Sequence, residues 1–144
     1  MRTLAVDYGT RRIGIAVSDA LGISARGVAT LRDLGDRAAV ARIAALTTEL
    51  EAEAVVIGIP LRADGSRGDA AERVLRFADR VRETVAVPVH TIGEQLTSVE
   101  ADERMREQGV SAKRRKRRID EAAAVVILES FLASREREES GRDG

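Results

Sequence analysis

The order of the apolar segments is the feature that most constrains the fold of this chain. Residues 3–8 are predicted to form a short buried strand, and residues 12–18 alternate apolar side chains in the manner of a second strand. The chain turns from one strand to the other through Tyr8–Arg11, a spacing that suits a β-hairpin. A third strand is expected within residues 24–31. The beginning of the chain therefore predicts antiparallel pairing.

The rest of the chain alternates between helical and extended patterns. The predicted elements are, in order, a helix over 37–52 capped by Asp36, a strand over 54–59, a helix over 69–85, a strand over 88–92, a polar helix that stops at Gly109, and a helix over 119–134. A hairpin followed by this alternation indicates an α/β sheet with mixed strand directions. We expect one domain over residues 1–134 and a flexible charged tail over residues 135–144.

The composition excludes several classes of active site. The chain has no cysteine and one histidine, His90, so thiolate zinc sites, cysteine nucleophiles and paired-histidine metal sites are ruled out. His90 lies within a predicted strand and is expected to be structural. No apolar run approaches the ~20 residues that cross a bilayer, and no signal-peptide pattern is present, so we expect a cytoplasmic protein without membrane partners. Carboxylates, hydroxyls, arginines or an oxygen-bound metal must supply any chemistry.

Three carboxylates lie at the ends of predicted elements. Asp7 ends the first apolar strand, where it is either a metal or ion-pair partner or simply the start of a turn. Glu94 follows the strand over 88–92, and it shares an edge with Asp7 if the two strands are parallel. Asp120 begins the apolar stripe of the last helix, although an acid there is also a common helix cap. Together these acids indicate a site for Mg²⁺ or Mn²⁺.

Lysine and arginine residues that lie close to these acids in the sequence suggest contact with phosphates. Six consecutive basic residues directly precede Ile119 and Asp120, namely Lys113, Arg114, Arg115, Lys116, Arg117 and Arg118. Such a run either binds a phosphate backbone or is a solvated charged segment, and the sequence leaves both interpretations open. Arg11 and Arg12 follow the first turn and are further candidates. Two divalent ions held about 3.5–4 Å apart can cleave a phosphodiester, which makes a nuclease the favoured enzyme class.

Four blocks of the sequence resemble the YqgF/RuvX family, in the family's order and over nearly the whole chain. The blocks are Asp7–Asp19, Val56–Leu61 with Asp64-Gly65, Glu94–Ser98 with Glu100-Ala101, and Ile119-Asp120 with Ala122–Ala124 and Ile127-Leu128. The third block departs from the family pattern Asp-Glu-Arg-Leu-Thr, because Gly93 replaces the first acid and Gln95 replaces the arginine. If those two family residues bind a metal and a phosphate, this chain should bind both more weakly.

The resemblance implies an RNase H-like α/β fold, with three antiparallel N-terminal strands and then two parallel strands in a five-stranded sheet, and helices on both faces. It implies a hydrolase with Mg²⁺ or Mn²⁺ held by Asp7, Glu94 and Asp120, related to Holliday-junction resolvases. The implied substrate is precursor 16S rRNA, trimmed toward its 5′ end in ribosome biogenesis.

Two other functions remain open. Resolution of four-way DNA junctions requires a dimer with two sites, whereas we expect a monomer or a weak homodimer. A non-catalytic RNA-binding or transcription-associated factor on the same fold is the second alternative, with Gly93 and Gln95 as signs of lost activity. An actin-like ATPase is excluded because 144 residues leave no room for a second lobe.

Overall fold

Three strands follow one another at the start of the chain, as the hairpin pattern predicted. The structure is a computed structural model that describes residues 1–94 and 112–143, with side chains for residues 1–94 and 121–138. The strands are β1 (Thr3–Asp7), β2 (Arg12–Ser18) and β3 (Ala25–Arg32), and both neighbouring pairs are antiparallel. The elements that follow are α1 (Asp36–Glu49), β4 (Ala54–Pro60), α2 (Asp69–Thr84), β5 (Val89–Glu94) and α3 (Ala112–Asp143).

The five strands form one mixed sheet in the order β3-β2-β1-β4-β5. β4 is parallel to β1, and β5 is parallel to β4. The carboxyl ends of β1, β4 and β5 therefore lie at a single edge, which we call the carboxyl edge. The predicted fold class, with three antiparallel strands and then two parallel ones, is confirmed.

Strand alternation divides the core between two faces of the sheet. Leu4 and Val6 of β1 pack with the apolar stripes of α1 and α2, which include Ile43 and Phe77. Ala5 between them packs instead with Ala124 and its neighbours on α3. We call the second side of the sheet the α3 face. Helices thus cover both faces, as predicted.

Small residues let α3 lie close to the sheet. Ala5, Ala16 and Val56 meet Leu128 and Phe131 of α3 in a cluster of buried side chains. At Gly58 of β4 the approach is closer still, because a Cβ there would lie 2.5 Å from Cδ1 of Ile127. The position of α3 relative to the sheet therefore depends on the absence of a side chain at residue 58.

The structure corrects the predicted bounds of two helices. Gly35 is the N-cap of α1, so Asp36 lies in the first turn, and its carboxylate accepts a hydrogen bond from Tyr8 instead of capping the helix. The basic run 113–118 lies inside α3, which begins at Ala112 and not near residue 119. Lys and Arg are good helix formers, so the run extends the helix. α3 also continues past residue 134, while the flexibility of the tail stays a prediction.

The polar helix predicted to stop at Gly109 lies outside the described residues. In the part of the chain that is described, the helices are all too short or too polar to cross a membrane.

Candidate active site

Asp7 and Glu94 lie at the carboxyl edge and on the same face of the sheet. Asp7 is the last residue of β1 and Glu94 the last of β5. Ala5 of β1 and Ile92 of β5 both pack on the α3 face. Because side chains alternate along a strand, Asp7 lies on the same face as Ala5, and Glu94 on the same face as Ile92. With β4 between them, the two strands are about 10 Å apart. Both acidic residues are half-buried.

Glycines flank Asp7 on the α3 face. Gly14 of β2 is its direct partner across the antiparallel pair. On the other side, Val6 pairs with Ile57, so Gly58 of β4 follows at the level of Asp7. Neither neighbour carries a side chain, and on the Gly58 side of this row Ile127 of α3 takes up the space that a side chain there would fill.

The first turns of α3 lie toward the carboxyl edge. Glu121 packs over Gly27 in the middle of β3, where a Cβ on the glycine would lie 3.1 Å from Cβ of Glu121. Leu132, further along α3, lies near Gly22 in the turn at the opposite edge. The helix thus runs away from the carboxyl edge, and residue 120 belongs to the end nearer to Asp7. The Asp120 side chain is outside the described set.

The structure also brings Arg11 and Arg12 to this edge. Both are exposed at the start of β2, next to the turn that follows Asp7. The backbone N–H of Asp33 donates a hydrogen bond of 2.8 Å to the carbonyl of Arg11, which joins the ends of β2 and β3. The basic run 113–118 is helical in its backbone at the start of α3, although its side chains are not described. Gln95 lies outside the described residues.

Tyr8 is a positioning residue that the sequence analysis missed. Its hydroxyl donates a hydrogen bond of 2.7 Å to Oδ1 of Asp36, and its ring lies 4.3 Å from that of Phe77. Arg80 approaches the other oxygen of Asp36 at 3.7 Å. Burial and, after it, the hydrogen bond to Asp36 raise the pKa of Tyr8, so the phenol remains a donor. Because Tyr8 adjoins Asp7, these contacts hold the end of β1 against α1 and α2.

His90 packs as a structural residue, since its ring lies 5.2 Å from that of Phe131 on the α3 face. Burial and the positive charges of Arg135 and Arg82 lower its pKa from 6.5, against a smaller opposing effect of Glu138. The unfolded chain therefore takes up a proton at a higher pH than the folded protein does.

We expect the stability that neutral His90 contributes to be present above about pH 6.5 and to be lost as the pH falls through the lower folded-state pKa. Urea unfolding between about pH 7.5 and about pH 5 measures this effect. His90→Gln cannot titrate, so it should show a shallower pH dependence than the wild type. An equal slope in both proteins would contradict the assignment.

Comparisons with known proteins support the fold and a nuclease class. A family model described as "RuvX: Holliday junction resolvase" matches residues 1–134. A relative from Koribacter versatilis is 42% identical over 134 residues, covering 93% of this chain and 88% of its own length. A relative from Myxococcus xanthus is 42% identical over 132 residues, covering 92% and 87%. Both carry the name "Putative pre-16S rRNA nuclease".

Two solved resolvases share the fold. Thermus thermophilus RuvC in complex with a Holliday junction substrate aligns with a TM-score of 0.55 at 20% identity, covering 94% of this chain and 96% of that one. The fowlpox virus resolvase, in complex with Holliday junction DNA, aligns with a TM-score of 0.57 at 12% identity, covering 93% and 98%. At these identities the likeness concerns the architecture alone.

Proposed function

The chain belongs to the RuvX family, and from that premise we propose that it is a divalent-metal-dependent nuclease that trims the 5′ end of precursor 16S rRNA. One observation carries the proposal of an active site. Asp7 and Glu94, from distant parts of the sequence, end two parallel strands that are separated only by β4, and both lie on one face of the sheet. The helix that carries Asp120 covers that same face.

The carboxylate side chains of this chain are suitable ligands for Mg²⁺ or Mn²⁺. These ions prefer carboxylate oxygens and water, and the chain has no cysteine and no second histidine to favour a softer metal. Where side chains are described, no three acidic or histidine side chains form a cluster. In our proposal Asp120 supplies the third carboxylate, beside Asp7 and Glu94. When bound, a pair of such ions lowers the pKa of water and stabilises the leaving oxygen of a phosphodiester.

The protein residues would bind and orient the scissile phosphate. Asp7 and Glu94 would bind the metal from two strands. Tyr8 holds the end of β1 in place from the opposite face. Arg11, Arg12 and the basic run Lys113–Arg118 would contact the phosphates of neighbouring nucleotides, which raises affinity without selecting a base sequence.

The relatives' names favour ribosomal RNA as the substrate, whereas the solved resolvases on this fold bind junction DNA. We infer that the protein is cytoplasmic. We also infer that it acts as a monomer or a weak homodimer, because RNA trimming needs only one active site. Junction resolution is the second candidate function, and it requires two sites related by symmetry.

A cleavage assay separates the two functions. The protein is incubated with Mg²⁺ or Mn²⁺ and, separately, with a precursor 16S rRNA 5′-end fragment and with a four-way DNA junction. We expect metal-dependent cleavage of the RNA and slower cleavage of the junction. Faster, symmetric cleavage of the junction would favour the second function. Binding without cleavage under all metal conditions would favour a non-catalytic factor and contradict the proposal.

Gly93 stands where the family pattern has an aspartate, and the structure shows on which face of the sheet a side chain at this position would lie. Strand alternation puts residue 93 on the face opposite Glu94, and a Cβ there would lie 2.7 Å from Cδ1 of Leu61. A carboxylate at residue 93 would therefore point away from Asp7.

We predict that Gly93→Asp does not tighten Mn²⁺ binding and that it costs about 1 kcal/mol of stability, because Leu61 must shift. Isothermal titration with Mn²⁺ and urea unfolding measure the two effects. Gly93→Ala adds the same Cβ without charge, so it should reproduce the loss of stability. A several-fold gain in metal affinity for Gly93→Asp alone would show that position 93 faces the site.

A further inference from the structure

The turn between β2 and β3 presents two large apolar side chains to solvent. Of the large apolar side chains that the structure describes, those of Leu21 and Ile23 are the most exposed, at 77% and 76%. Single exposed apolar residues are common on protein surfaces, whereas these two flank Gly22 at the tip of one turn. Apolar side chains that adjoin one another on a surface indicate an interaction site.

A recess lies beside this tip, between the turn and the second half of α3. Its volume is about 560 Å³, and its apolar lining comes from Met1, Leu21, Ile23, Leu132 and Ala133. We call these five residues the turn patch. The surface therefore combines projecting apolar side chains with an apolar recess that has room for such side chains from another molecule.

Asp19 holds the tip of the turn in one conformation. Its carboxylate accepts a 2.8 Å hydrogen bond from the backbone N–H of Ile23 and a 2.9 Å bond from the hydroxyl of Ser24. These two bonds, with that from Ile23 the stronger influence, lower the pKa of Asp19, so the carboxylate stays ionised. Gly22 adopts the φ of 70° that the turn requires. A tip that is already ordered loses little conformational entropy when it binds.

The charges beside the turn patch favour a second copy of the chain over nucleic acid. Glu129, Arg135 and Glu136 also line the recess, and two acids against one arginine do not suit a phosphate backbone. Arg135 and Glu136 are neighbours on α3 with opposite charges. In a contact with two-fold symmetry the patch meets its own copy, so Arg135 of one protomer can approach Glu136 of the partner subunit.

We propose that two copies of the chain associate through the turn patch, with Leu21 and Ile23 of each protomer inserted into the recess of the other. Nine residues line the recess, whereas a stable interface takes about 20–30 residues from each side. The dimer is therefore weak, with a dissociation constant above about 1 µM. This inference goes beyond the proposed nuclease function, because it assigns a role to a surface remote from the candidate active site.

The position of the turn patch leaves both candidate active sites open. The turn lies at the edge of the sheet opposite the carboxyl edge, and the 7 residues of β2 separate the two edges by about 23 Å. Contact through the turn patch therefore neither covers a site nor completes it with residues of the partner subunit. Each protomer is expected to cleave its substrate independently of association.

Sedimentation equilibrium of the protein without nucleic acid or metal tests the association. For the wild type we expect the average mass to rise with concentration from 15.6 kDa toward twice that value. Leu21→Ser and Ile23→Ser should each raise the dissociation constant about tenfold, because each removes an apolar side chain from the centre of the contact. Leu34→Ser is the matched control, since Leu34 is exposed at 38% but follows the end of β3, and it should associate like the wild type.

A charge swap tests whether the partner is a second copy. Arg135→Glu and Glu136→Arg should each weaken association by several-fold, because each places like charges opposite each other twice in the dimer. The double variant with both substitutions restores opposite charges and should recover most of the wild-type association. Melting temperatures are measured for every variant, since the Arg135 guanidinium also lies 5.5 Å from the centre of the Phe131 ring.

A wild type that stays monomeric up to about 500 µM would overturn the proposal, since a weak dimer is populated at that concentration. Equal association of the wild type, Leu21→Ser and Ile23→Ser would also overturn it, because another surface would then form the dimer. Losses that occur only with lower melting temperatures, or a charge swap that recovers nothing, would contradict the two-fold contact. Failure of the nuclease function is distinguishable, because it appears as absent RNA cleavage and leaves these sedimentation results unchanged.

Discussion

Asp7→Asn is expected to abolish metal-dependent cleavage of precursor 16S rRNA while the fold and the RNA affinity remain intact. An amide oxygen is neutral and binds Mg²⁺ more weakly than a carboxylate does. Loss of the metal removes several kcal/mol of transition-state stabilisation, which corresponds to about a thousandfold lower rate. Single-turnover cleavage at saturating RNA measures the rate, and circular dichroism with anisotropy in EDTA checks the fold and the binding.

Asp79→Asn is the control for this substitution. Asp79 lies on α2 and pairs with Arg82 at 3.0 Å, with both side chains largely exposed. Such surface pairs contribute little to stability, so the variant should cleave at the wild-type rate. A cleavage rate for Asp7→Asn within a few-fold of the wild type would refute the role of Asp7 in the site.

Gly58→Ala is expected to lower both stability and activity, through the packing of α3. The added methyl would lie 2.5 Å from Cδ1 of Ile127 and 2.9 Å from its Cγ1, so the helix or the side chain must move. Overpacking of this kind costs about 1–3 kcal/mol. Residue 120 lies on the same helix, and a displacement of about 1 Å at an active site can lower the rate by about a hundredfold.

A double-mutant cycle tests whether this contact is the cause. Ile127→Val removes the closest atom, Cδ1, and alone should cost about 0.5–1.5 kcal/mol. Combined with Gly58→Ala, it should restore part of the stability and part of the cleavage rate, so that the double variant loses less than the sum of the single losses. Additive losses in urea unfolding would contradict direct contact between the two positions as the source of the effect.

Local patterns predicted the elements of the sheet and the edge at which the acids lie. The alternation of Ile13, Ile15 and Val17 gave β2 its bounds, and the continuous apolar run before Pro60 identified a strand buried on both faces. Asp7 and Glu94 could be placed at one edge because their strands were expected to be parallel. Such inferences need only the periodicity of side chains along one segment.

Contacts between segments could not be predicted in this way. Cross-strand register decides that Arg32 lies opposite Arg12, and that register depends on a bulge-like shift near Ile15 and Ala16 that no local pattern indicates. The Asp36 carboxylate looked like a helix cap, but its partner is Tyr8, which the fold brings to the start of α1. Gly58 lay within an apolar run, and only the packing of Ile127 explains why it lacks a side chain.

The central claim is that Asp7, Glu94 and Asp120 bind the same divalent-metal site. Anomalous X-ray diffraction from crystals grown with Mn²⁺ locates the ion directly. We predict a manganese peak at the carboxyl edge, with oxygens of all three carboxylates at about 2.1–2.3 Å. Manganese bound only elsewhere on the surface, or an Asp120 carboxylate directed away from Asp7 and Glu94, would contradict it.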